Sequence, residues 1–220
     1  MKIKTPAEYI YNLIAQGEHQ QQDFKFEISD ARKIAKSLSA FSNTDGGRLL
    51  VGVKDNGKIA GVRSDEEIYM IEAAAKLYCQ PQVCCEMHTH SVEGRTILEV
   101  IIPQGKERPY YAKEENGRYQ AYLRIQDENI LASPVHLKLW KMKQAPKGML
   151  VRYSEKEEKL LDYLSTHDRI SISQYCKMAD IPRKQAIAIL AGFIHFSLLE
   201  PFYANKKFFY RLAPEKKPEN

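Results

Sequence analysis

The sequence predicts an α+β fold with a mixed sheet in residues 1–140, followed by a smaller domain in residues 149–213. The first observation is the order of the predicted elements after an initial helix, which is strand, helix, two strands, helix and three strands. The second is a change near residue 149 to three amphipathic helices closed by a hairpin. The third is charge, because residues 1–140 hold 18 Lys and Arg against 19 Asp and Glu, whereas residues 141–220 hold 15 against 9. We therefore expect two domains, a linker at 141–148 and a disordered tail at 214–220.

The composition is typical of a cytoplasmic protein without a membrane partner. Hydrophobic residues make up 44% of the chain but form no apolar run long enough to span a bilayer. The first residues predict an amphipathic helix and not a secretory signal. The four cysteines are then expected to be reduced thiols and not a disulfide framework.

The first three elements follow from local patterns. Thr5-Pro6 places a cap before a proline at the first helical position, which predicts a helix that ends at Gly17. Residues 23–27 alternate strictly, which predicts a strand with both phenylalanines on one face and the three charged side chains on the other. Ser29 or Asp30 then caps a second helix, whose apolar positions recur at helical spacing: Ile34, Leu38 and Phe41.

The first domain is organised around residues 39–61. Asn43-Thr44-Asp45-Gly46-Gly47 ends the second helix, because Asn and Gly tolerate the left-handed backbone that such a stop often needs. The apolar run 49–53 predicts a strand buried on both faces, and Gly52 within it predicts the close approach of another group to the backbone. Lys54-Asp55-Asn56-Gly57 predicts a hairpin turn, which places Asp55 at the mouth of the central strand.

The remaining elements complete this domain. A third helix is predicted over 66–78, and Pro81 prevents its continuation. Further strands are predicted over 83–90, 96–102 and 119–125, the last of which contains Arg124. We expect the domain to close near Trp140.

Residues 149–213 predict a winged helix-turn-helix domain. Ser154-x-x-Glu157 is a capping box that starts one helix. Two more helices are predicted over 171–178 and 183–196, and residues 198–200 and 207–212 then pair as a hairpin. Three helices followed by a basic hairpin are typical of this DNA-binding module.

The basic excess of the second domain predicts a polyanionic partner, with DNA favoured over RNA. The first turn of its last helix is predicted to face phosphates and base edges through Arg183, Lys184 and Gln185. The hairpin tip is predicted to contact the adjacent phosphate backbone through Asn205, Lys206 and Lys207. The alternative is a protein-interaction adaptor, for which the aromatic residues of the hairpin are suited: Tyr203, Phe208, Phe209 and Tyr210.

Residues 18–131 resemble the Schlafen/AlbA-type domain of bacterial proteins that are labelled transcriptional regulators or ATP-binding proteins. The resemblance rests on these motifs: Glu18-x4-Asp23-Phe24-Lys25, Ala40-Phe41-Ser42-Asn43-Thr44-x-Gly46-Gly47, Leu50-Val51-Gly52-Val53-x-Asp55-x-Gly57-x-Ile59-x-Gly61, Pro109-Tyr110-Tyr111 and Tyr122-Leu123-Arg124. It implies a mixed α+β fold and nucleic-acid binding, with a contact at Arg124. Because animal relatives place two such lobes side by side, it also implies a homodimer.

The animal relatives also imply an RNA-cleaving site of three carboxylates, which the resemblance places at Glu18, Asp23 and Asp55. Such oxygen ligands would hold Mg²⁺ or Mn²⁺ on a scissile phosphate, and Lys25 would assist the water nucleophile or the leaving charge. The sequence departs from the family twice: the family usually has Glu in place of Asp23, and it has a Gly-Ser pair where Gln126-Asp127-Glu128 follows Arg124.

A DNA-binding transcriptional regulator is therefore the expected function, with no cofactor. The expected rival is a metal-dependent ribonuclease, which would need Mg²⁺ or Mn²⁺.

Overall fold

The computed structural model describes residues 5–144 and 153–214, and the chain divides into two compact units between Ala132 and Ser133. Unit 1 (residues 1–132) combines helices with two sheets, and unit 2 (residues 133–220) combines helices with a hairpin. The predicted α+β class with a mixed sheet and a further small domain is confirmed. None of the described helices has the length and apolar composition that crossing a bilayer requires.

Unit 1 contains one mixed sheet and one antiparallel sheet. Its elements are α1 (Pro6–Ile14), β1 (Gln22–Lys25), α2 (Ala31–Asn43), β2 (Gly47–Val51), α3 (Glu66–Leu77), β3 (Cys79–Gln80), β4 (Glu86–Val92), β5 (Arg95–Ile102), β6 (Tyr111–Lys113), β7 (Tyr119–Ile125) and β8 (Glu128–Leu131). The first sheet has the strand order β1-β2-β5-β4, in which β1 and β2 are parallel and the other pairs are antiparallel. The second sheet has the order β3-β6-β7-β8 and is antiparallel throughout.

Helix α2 lies at the centre of unit 1. Its buried positions run without a break from Ser37 to Asn43, so it has no solvent-facing side over its second half. It packs against β6, β7 and α3. The same apolar cluster contains Leu49 and Val51 of β2 together with Tyr122 of β7, so α2 contributes to a core shared by both sheets. A helix that is buried all round must satisfy its polar side chains internally.

The buried side chains of Asn43 and Ser39 form their hydrogen bonds with backbone groups in and beside the second sheet, and so join α2 to that sheet. Asn43 Nδ2 donates to the carbonyl oxygens of Tyr110 at 2.8 Å and of Tyr122 at 2.9 Å, and its Oδ1 accepts from the Tyr110 N–H at 2.8 Å. Ser39 Oγ accepts from the Tyr122 N–H at 3.1 Å and donates to the Tyr110 carbonyl at 2.7 Å. The left-handed residue that follows the helix is Gly46 (φ 69°), while Asn43 itself remains helical.

The two ends of the loop after β2 approach each other closely at Gly52 and Gly61. A Cβ on Gly52 (φ 91°) would lie 2.8 Å from the carbonyl carbon of Gly61, so the group that approaches Gly52 is the returning loop itself. Between them Val53 and Ile59 form a β-bridge, and the Lys54 N–H donates to the carbonyl of Lys58 at 3.0 Å. The predicted hairpin turn is confirmed.

Unit 2 contains four described helices and one hairpin. Its elements are α4 (Pro134–Lys143), α5 (Glu155–Thr166), α6 (Ile172–Ala179), α7 (Arg183–His195), β9 (Leu199–Ala204) and β10 (Lys207–Leu212). Strands β9 and β10 are antiparallel, and Ile170 bridges to Tyr210 as a short third strand. The core between helices and hairpin is built from apolar side chains such as Leu160, Tyr175 and Leu190.

The structure departs from the sequence prediction at several elements, of which α4 and β8 are two. Residues 134–143, expected to close the first domain and start the linker, form α4, because Val135 and Leu139 pack into the core of unit 2 against α7. Strand β8 follows a two-residue turn in which Gln126 has a positive φ of 57°. Residues 145–148 of the predicted linker and 215–220 of the predicted tail lie outside the described residues.

Candidate nucleic-acid interface

The first turn of α7 presents three polar side chains to solvent. Arg183, Lys184 and Gln185 are all exposed, whereas Ala186 and Leu190 are fully buried on the inner side of the helix. The residue before the helix is a proline, which gives no side-chain cap, and the first turn contains no acidic residue. Uncapped N–H groups and two cations therefore give this helix end a positive potential.

The tip of the β9–β10 hairpin forms a second basic surface. Ala204 pairs with Lys207, so Asn205 and Lys206 form a two-residue turn. Both have positive φ (49° and 57°), as a primed hairpin turn requires. The side chains of Asn205, Lys206 and Lys207 are all exposed at this end of the sheet.

The cations of these two surfaces form no ion pair with any residue that the structure describes. Within residues 5–144 and 153–214, no ion pair is formed by Arg183, Lys184, Lys206 or Lys207. Arg211, further along β10, differs because it pairs with Glu200 at 2.6 Å. The residues predicted to contact DNA are thus exposed and available to an anionic ligand.

The aromatic side chains of the hairpin are divided between the core of the unit and an open groove. Tyr210 is fully buried in the core. On the opposite face of the hairpin, Phe202 and Phe209 stack with their ring centroids 5.8 Å apart. The guanidinium of Arg169 lies 4.6 Å from the Phe209 ring, and that of Arg211 lies 4.9 Å from the Phe202 ring. These four side chains line an open groove of about 1100 Å³ beside the end of α5.

Glu18 and Asp23 come together at the start of β1. The Asp23 carboxylate is buried and pairs with Lys25 Nζ at 2.7 Å and with Arg124 Nη2 at 3.4 Å. Glu18 Oε1 accepts a hydrogen bond from the Phe24 N–H at 2.9 Å. Burial raises the pKa of Glu18, and the neighbouring Asp23 carboxyl group raises it further. Three of the four residues that the nuclease alternative requires are therefore close together.

Asp55 does not join this cluster, which corrects the predicted three-carboxylate metal site. It is exposed in the turn between Val53 and Ile59. Across the parts of the chain that the structure describes, no three His, Cys, Asp or Glu side chains are placed to hold one metal ion. The physical reason is that β2 ends at Val51, so the following loop carries Asp55 beyond the strand and into solvent.

Arg124 lies in the interior, which corrects its prediction as a nucleic-acid contact. Its residue surface is only 2% exposed. The guanidinium lies 5.1 Å from the Phe41 ring centroid, and it donates to the Gln22 carbonyl at 3.1 Å and to Asn129 Oδ1 at 3.2 Å. A buried cation needs such partners to offset its lost hydration, so Arg124 stabilises the fold and has no open path to a phosphate.

A basic aromatic cluster that the sequence pattern did not reveal lies beside β1. The strand ends at Lys25, so Phe26 leaves it and is 37% exposed, although strict alternation predicts it on the same buried face as Phe24. Lys54 Nζ lies 4.9 Å and Arg63 Cζ lies 5.6 Å from the Phe26 ring centroid. We call these three residues the Phe26 cluster.

Residues 18–133 match the family model described as Schlafen, AlbA_2. The chain belongs to this family. No curated protein matches it. Among solved structures, the DIP2311 protein from Corynebacterium diphtheriae is 16% identical, with a TM-score of 0.47 over 69% of this chain and 36% of that chain. The N-terminal domain of a RecG-related protein from Nitrosomonas europaea, named as an ATP-dependent DNA helicase, is 20% identical, with a TM-score of 0.41 over 70% of this chain and 99% of that chain.

The Schlafen AlbA_2 match covers most of unit 1 and ends at Ser133, where unit 2 begins. Helices α5 to α7 and the basic hairpin lie outside it. The chain spans about a third of the length of the Corynebacterium diphtheriae protein, at 36%. Membership of the Schlafen AlbA_2 family supports nucleic-acid binding as the class of function.

Proposed function

We propose that this Schlafen AlbA_2 protein binds duplex DNA through unit 2 and acts as a transcriptional regulator in the cytoplasm. The observation that supports the proposal most is the exposure of Arg183, Lys184 and Gln185 on one helical turn, with no described acid paired to either cation. The free state of all four cysteines agrees with a reducing compartment.

The order of elements in unit 2 supports a winged helix as the DNA-binding module. Helices α5, α6 and α7 precede the hairpin, and the short strand at Ile170 between α5 and α6 pairs with β10. In such modules the last helix enters the major groove through its N-terminal residues. In unit 2 that position corresponds to the first turn of α7, and the hairpin tip would contact the neighbouring phosphates.

The charge of these two surfaces explains how the binding would depend on salt. Each phosphate that a Lys or Arg neutralises releases about one counterion, so the logarithm of the binding constant falls with the logarithm of the salt concentration. Arg183, Lys184, Lys206 and Lys207 together would give a slope of about −3 to −4. A protein-interaction adaptor would not show this slope with DNA, and one of its aromatic candidates, Tyr210, is buried in the core.

The test is fluorescence anisotropy with labelled duplex DNA of mixed sequence between 50 and 200 mM salt, a range over which phosphate-driven binding weakens strongly. Lys184→Ala and Lys206→Ala should each weaken binding and reduce the salt slope by about one. Lys159→Ala removes an exposed cation of α5 and serves as the matched control, with affinity close to that of the unaltered protein. Affinity that is independent of salt, or a control as impaired as the two variants, would contradict the proposal.

We also propose that the regulator binds DNA as a homodimer, so that two α7 helices meet half-sites about one helical turn apart. Sedimentation of the protein with a labelled duplex measures this stoichiometry. A complex that contains a single chain at saturation would rule out the dimer.

A further inference from the structure

We propose that the Phe26 cluster of unit 1 is a second nucleic-acid site, which binds an unpaired base of a single strand. Phe26 would stack with the base, while Lys54 and Arg63 would contact the flanking phosphates. This site goes beyond the proposed duplex-binding role of unit 2, and each can fail without the other.

The position of Phe26 is the first support. Phe24, two residues earlier, is buried in the core, whereas Phe26 is 37% exposed. Leaving a phenyl ring at the surface forgoes the stabilisation that burial would give. A ring that is exposed between two cations has the composition of sites that bind single strands, where aromatic side chains stack on bases and cations follow the backbone.

The loop between β2 and α3 builds the cluster. Gly52 and Gly61 cross so closely that a side chain on Gly52 would collide with the returning backbone, and the Gly61 N–H donates to the Gly52 carbonyl at 2.9 Å. This crossing closes the loop at its base. Lys54 near one end and Arg63 just beyond the other are thereby brought to the same ring, although they lie nine positions apart in the sequence.

The cations beside Phe26 are available to an anionic ligand. Lys54 and Lys58 are exposed, and neither forms an ion pair with a residue that the structure describes. Arg63 pairs with Glu27 at 3.2 Å, but its side chain is 73% exposed, and such a surface pair contributes little stability. The Arg63 guanidinium can therefore leave the ring face and move to a phosphate.

A single strand fits this surface better than a duplex. Bases inside a duplex are covered on both faces by their neighbours, so their faces are closed to Phe26. Unpaired bases can be splayed out and stacked on an aromatic side chain without sequence preference. Because stacking on an aromatic ring does not read the edge of a base, we expect tolerance of all four bases.

The experiment places an indole at the proposed stacking position. Phe26→Trp is titrated with a thymidine 20-mer, and stacking should quench its fluorescence. Tyr69→Trp, at a 69% exposed position on α3 of the same unit, is the matched control and should not be quenched. The natural Trp140 lies in unit 2, and its fluorescence is subtracted by titrating the unaltered protein in the same way.

A binding titration completes the test. Phe26→Ala should weaken single-strand binding by about tenfold, whereas Phe26→Tyr should retain it. Neither change should alter duplex affinity, and Lys184→Ala is measured in parallel to report on unit 2. Absent or equal quenching at positions 26 and 69 would overturn the inference. So would quenching of Phe26→Trp by polyglutamate but not by the oligonucleotide, because that result would assign the cluster to an acidic protein partner.

Discussion

Replacement of Asn43 by Ala should destabilise unit 1 more than most single substitutions. The change removes three hydrogen bonds between α2 and the second sheet, those from Nδ2 to the carbonyls of Tyr110 and Tyr122 and that from the Tyr110 N–H to Oδ1. The Tyr110 carbonyl keeps Ser39 as a donor, but the other two backbone groups lose this partner in the interior. At about 1 kcal/mol per bond, and more for each buried group left unsatisfied, we expect a loss of about 3 to 4 kcal/mol.

Amide hydrogen exchange of the full chain measures this loss locally. In peptides from residues 111–123, a loss of about 3 kcal/mol corresponds to exchange that is roughly 150-fold faster through global opening of the unit. Asn116→Ala, in the exposed turn between β6 and β7, removes only a local bond to the Arg118 N–H and is the control. If Asn43→Ala accelerates exchange less than about fivefold, which is about 1 kcal/mol, the bonds of Asn43 do not hold the two parts together.

Two further predictions concern Gly46 and His136. Gly46→Ala should lower the free energy of unfolding by about 3 kcal/mol, because positive φ costs about 1 to 2 kcal/mol and the new Cβ would lie 2.8 Å from backbone atoms of Ile102 and Gln104. Gly117→Ala, where φ is also positive but no atom lies within 4 Å, should lose only the conformational part, and thermal melts with equal losses would contradict the argument. Burial lowers the pKa of His136 to about 4, so below its ordinary pKa the unfolded chain binds a proton that the folded chain does not. Stability should therefore fall by about 2.5 kcal/mol as the pH drops from about 6.5 to about 4, and His136→Phe should remove this slope in urea unfolding followed by Trp140 fluorescence. If the stability of both proteins depended on pH in the same way, His136 would not be the group responsible.

The elements that the sequence predicted correctly are those that local chemistry determines. The capping box of Ser154 and Glu157 starts α5, and Thr5 with Pro6 starts α1. Asn56-Gly57 forms the predicted turn. In each case the signal and the structure that it causes lie within a few residues, so no knowledge of the tertiary fold was required.

The features that could not be predicted depend on partners far away in the chain. Arg124 is buried because it pairs with Asp23 and packs against the Phe41 ring. Both partners lie more than eighty positions earlier in the chain, so the strand pattern around Arg124 does not reveal them. Helix α4 forms because α7, some forty residues later, provides a face for Val135. The resemblance implied a carboxylate site that includes Asp55, but β2 ends at Val51 and leaves Asp55 exposed in the following turn.

The burial of α2 has a consequence for how the protein is made. Its polar side chains find their acceptors and donors about eighty residues later, since Asn43 bonds to Tyr122 across a separation of 79 positions and Ser39 across 83. Contacts of such range are slow to close, because the entropy of a long loop must be lost before they form. While the ribosome is still translating β4 to β6, this helix lacks β7, the strand that supplies its most distant hydrogen-bond partners. The nascent chain then holds a helix whose core side chains, such as Leu38 and Phe41, lack part of the apolar cluster that buries them in the folded unit.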